Sequence, residues 1–176
     1  MTTTIRDMQS VTPADIERRW PIVALGALTY LMSLPLFEPR AVWPLGYIVF
    51  VPWLIAIVLA RRSAWVYLVS FAFCVAFWLT HWRWLYPVSP IVYGIICVIL
   101  AMHFLLVVWP VRYLYRRRGV GMTIVFPIVW TASELFHSRG MFGGPWCLLS
   151  HSQVRFPVII QIADLVGALG VTFVVA

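Results

Sequence analysis

The sequence predicts an all-α fold: a polytopic transmembrane bundle of about six helices with its N-terminus inside the cell. Three observations predict it. Of the 176 residues, 62% are hydrophobic and 11% are charged, where soluble domains run at roughly 45–50% and roughly 25%. The apolar residues fall in long unbroken runs. The thirteen cations, every one of them arginine, cluster between those runs, as the flanks of membrane helices do. Too few polar groups are present to cover a soluble sphere of this size, which excludes a cytosolic enzyme, a nucleic-acid-binding domain and a disordered tail. The sequence pI of 9.9 therefore reads as topology-setting charge, with no nucleic acid as partner.

Residues 1–20 are the one sizeable polar stretch and read as a cytoplasmic tail. Thr12-Pro13-Ala14-Asp15 has the form of a helix start, with Thr as N-cap, Pro at the first helical position and Asp in the first turn. A short juxtamembrane helix is expected to run into Arg18-Arg19-Trp20. No small-residue cleavage site follows the arginine pair, so it is a flank and not a twin-arginine signal. From 21 to 176 six apolar segments follow, at about 21–37, 42–60, 64–81, 90–113, 120–137 and from Pro157 to Ala176. A span takes roughly 20 residues, so the first two are short and should tilt little or form a tight hairpin. Helices are required because a long apolar run in lipid satisfies its own backbone only as a helix, and Val92 to Val108 has none of the alternation of a barrel strand. Pro21, Pro39, Pro44, Pro87, Pro90 and Pro157 sit at segment ends, where a missing N–H costs little. Pro52 and Pro127 lie inside segments and are expected to kink them. Trp20, Trp43, Trp65, Trp82, Trp84 and Trp109 lie near boundaries, as an interfacial belt requires. The last segment reaches Ala176 without a polar flank or a stop signal, so the chain is expected to be truncated at or in its sixth helix.

Arginine placement sets the orientation. Arg6, Arg18, Arg19, Arg61, Arg62, Arg112, Arg116, Arg117 and Arg118 fall on one side. Arg40, Arg83, Arg139 and Arg155 fall on the other. Nine against four puts the N-terminus inside and the loop 138–157 outside, in a multi-pass protein of the plasma membrane. Cys74 and Cys97 lie in apolar runs and act as small hydrophobes. The four histidines show no i, i+4 pair within one helix, so no metal or haem site is expected; His103, mid-segment, is expected to hydrogen-bond between helices.

The outer loop carries the most specific pattern. It runs Glu134-Leu135-Phe136-His137-Ser138-Arg139-Gly140-Met141-Phe142-Gly143-Gly144-Pro145-Trp146, then Cys147-Leu148-Leu149-Ser150-His151-Ser152-Gln153, Pro157 and Ile160-Gln161-Ile162-Ala163-Asp164-Leu165. Gly167, Gly170, Thr172 and Phe173 complete it. This resembles the bacterial apolipoprotein N-acyltransferases, which have a Glu near the end of the fifth helix, a Gly-Phe-Pro-Trp turn, a Gly-Tyr-Ser-Gln element and a Gly-rich sixth helix. Pro145, Trp146, Ser152 and Gln153 match. The departures are His137 for the usual Arg, Gly144 for Phe, and Ser150-His151 for Gly-Tyr. The likeness covers nearly the whole chain as architecture and about 134–173 as motif.

The resemblance implies an enzyme of the bacterial inner membrane. It takes an acyl chain from a phospholipid donor and passes it to the N-terminal diacylglyceryl-cysteine of a lipid-modified apolipoprotein. The family uses a Glu-Lys-Cys triad in a nitrilase-like domain after the seventh helix, and needs no cofactor. This chain has no Lys and cannot hold that triad, so no catalytic residue is assigned in it and the chain alone is expected to be inactive. Glu134, Pro145, Trp146, Ser152 and Gln153 are the candidates for substrate passage or for shaping the loop. For Glu134, whose partner would be Arg139 or His137, both roles stay open. Gly143-Gly144-Pro145-Trp146 reads as a tight interfacial turn, plain or functional. Asp164 reads as a helix N-terminal charge, and Cys147 as a half-buried packing residue, although His151 stands four positions on. Gly167 and Gly170 allow close helix packing, with a monomer expected. The alternative function is a non-catalytic membrane scaffold or a small transporter component. A transporter would show broken helices or paired midplane charges, and the sequence suggests neither.

Overall fold

The computed structural model describes residues 19–37, 39–60, 63–139 and 144–176. The N-terminal helix start, Arg18, Glu38, the Arg61-Arg62 pair and Gly140 to Gly143 lie outside the described residues. Within them the chain is helical and holds no strand. The α-helices are α1 (Arg19–Ser33), α2 (Val51–Leu59), α3 (Ser63–His81), α4 (Pro90–Arg118), α5 (Met122–Arg139), α6 (Pro157–Ile160) and α7 (Ala163–Val175). Short 3-10 turns occupy Trp43–Tyr47, Arg83–Leu85 and Leu149–Gln153.

Helix α3 packs against α1 and α4, α4 against α5, α1 against α2, and α5 against α7. α4 shows why these residues build the frame. Ser89 caps it by accepting from the Val92 N–H, Pro90 occupies the first turn, and Gly119 ends it at φ 66°, a left-handed position that suits glycine. Its buried residues Tyr93, Cys97, Leu100, Phe104, Val107, Val108 and Val111 recur at helical spacing and form one face. The opposite face exposes Ile91, Ile95, Met102, Leu106 and Trp109, so α4 is apolar all round. By length and hydropathy, α3 and α4 are the two described helices able to cross a membrane. At 29 residues, α4 is about 43 Å long.

The core is aromatic. Trp53 lies 4.9 Å from Phe104, Phe73 lies 5.3 Å from Phe104, and Phe50 lies 4.2 Å from Trp130. These contacts join α2, α3, α4 and α5. Trp53 Nε1 donates to Ser70 Oγ at 2.8 Å, so its one polar atom is satisfied inside the core.

Several boundaries differ from the sequence expectation. The first segment ends at Ser33, where the Ser33 hydroxyl donates to the Tyr30 carbonyl and the chain tightens into turns. The second is not one helix: residues 43–47 form a 3-10 turn, and α2 has only nine residues. Pro52 therefore starts a helix instead of kinking one, while Pro127 does lie inside α5. The fourth segment runs on through Pro110 to Arg118. The sixth segment is broken into α6 and α7, which makes seven α-helices among the described residues, where about six were expected. Within α7, Gly167 is itself non-helical at φ 71°, ψ 178°. Of the boundary tryptophans, Trp82 is buried, whereas Trp20, Trp84 and Trp109 are exposed.

The end of α2 is closed by another helix. Arg112 donates through Nη1 to the carbonyls of Ile57 at 3.0 Å and Ala60 at 3.1 Å. Arg116 donates through Nη2 to those of Val58 and Ala60, each at 2.6 Å. Helix C-terminal carbonyls have no partner of their own and carry partial negative charge. Two guanidinium groups from α4 supply both the donors and the opposite charge.

Candidate functional site: a buried polar junction between α5, the turn 149–153 and α7

Glu134 sits in the last two turns of α5 and is 6% exposed. Its Oε1 accepts from Trp130 Nε1 at 2.9 Å and from the Leu149 backbone N–H at 2.7 Å. Its Oε2 accepts from the Thr172 hydroxyl at 2.6 Å, and Thr172 Oγ1 accepts in turn from the Ser150 N–H at 3.2 Å. A single carboxylate thus joins α5, the turn 149–153 and α7. A carboxylate is an acceptor-only group, and three donors converge on this one. The structure gives it neither Arg139 nor His137 as hydrogen-bond partner, the two partners considered from sequence.

A second cluster continues from the first. Ser152 and Gln153 are fully buried. The Ser152 hydroxyl donates to the Leu149 carbonyl at 2.6 Å. Gln153 Nε2 donates to Ser152 Oγ at 2.8 Å and to the Trp43 carbonyl at 3.0 Å. The loop before α6 is in this way fastened to the turn 43–47, more than a hundred residues away in sequence. Trp43 and Phe156 stack across the same contact at 4.3 Å, and Arg155 donates to the Pro39 carbonyl at 2.6 Å. Gly46 is the close-approach point: a Cβ there would lie 2.6 Å from Gln153 Nε2 and 2.8 Å from Ser152 Oγ. Only glycine fits.

Three of the five sequence candidates, Glu134, Ser152 and Gln153, therefore meet in one junction. Pro145 and Trp146 do not join it. Both are exposed, and Trp146 stands beside Trp84, ring centroids 5.9 Å apart. Of the turn containing them, Gly144 is buried, and a Cβ there would strike the Trp146 indole. The residues sequence reasoning did not rank as site members are Thr172, Trp130 and Gly46. Trp130, one turn before Glu134, could have been found from its i, i+4 spacing. Thr172 belongs to the motif but nothing local pairs it with Glu134, 38 positions away, and Gly46 carries no local signal.

A cavity lies next to the junction, between α1, α3, α4, α5 and residues 146–149, with an empty volume of about 690 Å³, part of it open to the surroundings. Its wall is mainly apolar, and Glu134, His103, His137 and Ser133 bring polar groups to it. His103 stacks on Phe136 at 5.4 Å and on His137 at 5.9 Å. Cys147 lines the cavity too. Burial, with Glu134 nearby, pushes its thiol up to about 12, so it stays a protonated, weakly nucleophilic thiol. Burial also lowers the pKa of His151. Asp164 lies in the first turn of α7, where its charge suits the helix dipole.

The comparisons with known proteins follow the same region. The family model "Apolipoprotein N-acyltransferase N-terminal domain" matches residues 25–176. Among relatives named "Apolipoprotein N-acyltransferase", that of Geobacter metallireducens is 39% identical over 69 residues, covering 38% of this chain and 13% of its own length. That of Rhodopirellula baltica is 27% identical over 173 residues, covering 89% of this chain and 29% of the relative. That of Chlorobaculum tepidum is 25% identical over 172 residues, covering 84% and 31%. The chain spans less than a third of the length of these relatives. With the match running from α1 through the junction to the end of α7, the chain belongs to the apolipoprotein N-acyltransferase family, by way of that family's N-terminal domain.

Proposed function

We propose that this chain is the membrane portion of an apolipoprotein N-acyltransferase-like enzyme, a multi-pass protein of the bacterial inner membrane with its N-terminus inside. The reaction it serves runs in two half-reactions. A thiolate takes an acyl group from a phospholipid ester, forming a thioester and releasing the lysophospholipid. The α-amino group of a diacylglyceryl-cysteine then attacks the thioester, forming the amide and returning the thiol. Both steps belong to a catalytic domain outside these 176 residues, because no lysine is present for the triad. The chain itself holds the outer loop at the membrane surface and gives two lipid-bearing substrates lateral access to it.

The observation that carries this reading is the junction at Glu134. Buried carboxylates are costly unless fully hydrogen-bonded. Here the cost is met by three donors whose joint effect is to fix the turn 149–153 against α5 and α7. Pro145 and Trp146, carried just before that turn, then present an amphipathic ring where both substrates would pass. The all-round apolar surface of α4 supports placement in lipid.

The test is a chimera. Residues 25–176 replace the matching part of the Chlorobaculum tepidum relative, and acylation of an apolipoprotein N-terminus is followed by its mass increase. Transfer is expected from the chimera and none from this chain alone. A membrane-inserted, stable chimera without transfer would reject the reading. In the working chimera, Trp146→Ala is expected to lower the rate about tenfold at unchanged protein level.

A further inference from the structure

The end of α4 carries Arg112, Arg116, Arg117 and Arg118, and they divide into two pairs. Arg112 and Arg116 are engaged by the carbonyls that end α2. Arg117 and Arg118 are exposed, and neither has a hydrogen bond or an ion pair among the described residues. Arg118 lies over the Tyr113 ring, 5.9 Å from its centroid, a cation–π distance that leaves its N–H groups unbonded. The acidic side chains among the described residues are Glu134, held in the junction, and Asp164, in the first turn of α7. Neither offsets the charge at this end of α4.

The surface leading to these two arginines is continuous. Met102, Leu106, Trp109, Tyr113 and Arg117 follow one another at steps of three or four residues, so they share one face of the helix. The first four are exposed, and the Trp109 and Tyr113 rings stack at 5.5 Å. From Met102 to Arg117 the helix rises about 22 Å, half of the roughly 40–45 Å across a bilayer with its headgroups. The face thus passes from apolar side chains, through two amphipathic rings, to two unpaired cations over the depth of one leaflet. Aromatic rings favour that boundary, and guanidinium forks match phosphate oxygens.

We propose that this end of α4 binds an anionic phospholipid of the inner leaflet, with its phosphate at Arg117 and Arg118, its glycerol region against Tyr113 and Trp109, and its chains along Leu106 and Met102. Charge complementarity and continuity with the apolar face of α4 select a lipid over a soluble acidic partner. α5 begins beside this end and carries Glu134 in its last two turns, so the lipid site and the junction lie toward opposite ends of the bundle. The inference rests on the membrane placement of α4 proposed above and is independent of acyl transfer.

The experiment places the full chain in phosphatidylcholine nanodiscs containing a small share of one of two probes. One is a phosphatidylglycerol and the other a phosphatidylcholine, each with a diazirine near the headgroup. Cross-links are mapped by peptide mass spectrometry. Residues 109–118 are expected to be labelled about tenfold more by the anionic probe, and the turn bearing Arg83, a single exposed cation, at most about twofold more. Arg117→Gln with Arg118→Gln should bring the labelling of 109–118 down to that of the zwitterionic probe. Equal labelling of 109–118 by the two probes in the unmodified chain would overturn the site, whether or not the double variant folds. The same preference at Arg83 as at 109–118 would reduce it to diffuse attraction and overturn it too. Displacement of the label by excess inorganic phosphate at constant ionic strength would identify a free-anion site and overturn the lipid assignment. A chain that does not enter nanodiscs would overturn the membrane reading and this site together. Failure of the chimera to transfer would leave the site standing, and equal labelling would leave transfer standing.

Discussion

The α3–α4 pair and the junction of α5, the turn 149–153 and α7 are built on opposite principles. The first is a broad contact between long apolar helices, in which many weak side-chain contacts add up. The second rests on a few hydrogen bonds gathered at Glu134 and Gln153. Its helical pieces are short, with a left-handed break at Gly167. The difference teaches where each region is vulnerable. A broad apolar contact loses stability by increments. A converging polar one loses it at a single residue, because removing the shared acceptor leaves every donor unpaired.

The largest effect should come from Glu134→Ala. It strands three buried donors, each worth about 1–3 kcal/mol when left unpaired, for a loss of about 4 kcal/mol in detergent-unfolding experiments. Hydrogen exchange should rise in the turn 149–153 and α7 while α4 stays protected. Equal loss of protection in α4 would break the comparison by showing one cooperative unit. Gly46→Ala comes next. Its Cβ would press on Gln153 and Ser152, and overpacking of this kind costs about 1–3 kcal/mol. The same exchange pattern at a lower amplitude would sharpen the picture of one fastened loop, whereas wild-type stability would show that the two turns slide freely. The smallest effect concerns Cys147. With its thiol at about 12, the thiolate is roughly one part in 10,000 at pH 8. Maleimide labelling of the folded chain should be slow there and rise about tenfold per pH unit. Cys147→Ala should leave acyl transfer by the chimera unchanged; fast labelling at pH 8, or lost transfer, would count against a packing role.

The same contrast explains what the sequence discloses. The start of α4 was legible at Pro90, but its end was read near 113, because hydropathy stops at the arginines, whereas the helix continues to Arg118 and closes at Gly119. α3 was legible to within a residue. The second and sixth segments read as continuous because hydropathy reports burial, not backbone path. The close approach at Gly46 involves Gln153, more than a hundred positions away. In the junction, Glu134, Ser152 and Gln153 were found by residue type and motif. Thr172 was quoted in that motif, yet its contact with Glu134 spans 38 positions, and no periodicity reports such a pairing. Arg112 and Arg116 were read as topology charges, whereas their contacts with the end of α2 exist only once α4 lies beside it.

Those two arginines separate charge from shape. A guanidinium is a planar fork whose several N–H groups can engage two carbonyls at once, whereas an ammonium is a compact point charge on a flexible stem. Arg112→Lys and Arg116→Lys would leave every rule of membrane orientation satisfied and still leave α2 with an open end. At these positions an alphabet of cations with thirteen arginines and no lysine records carpentry as well as electrostatics.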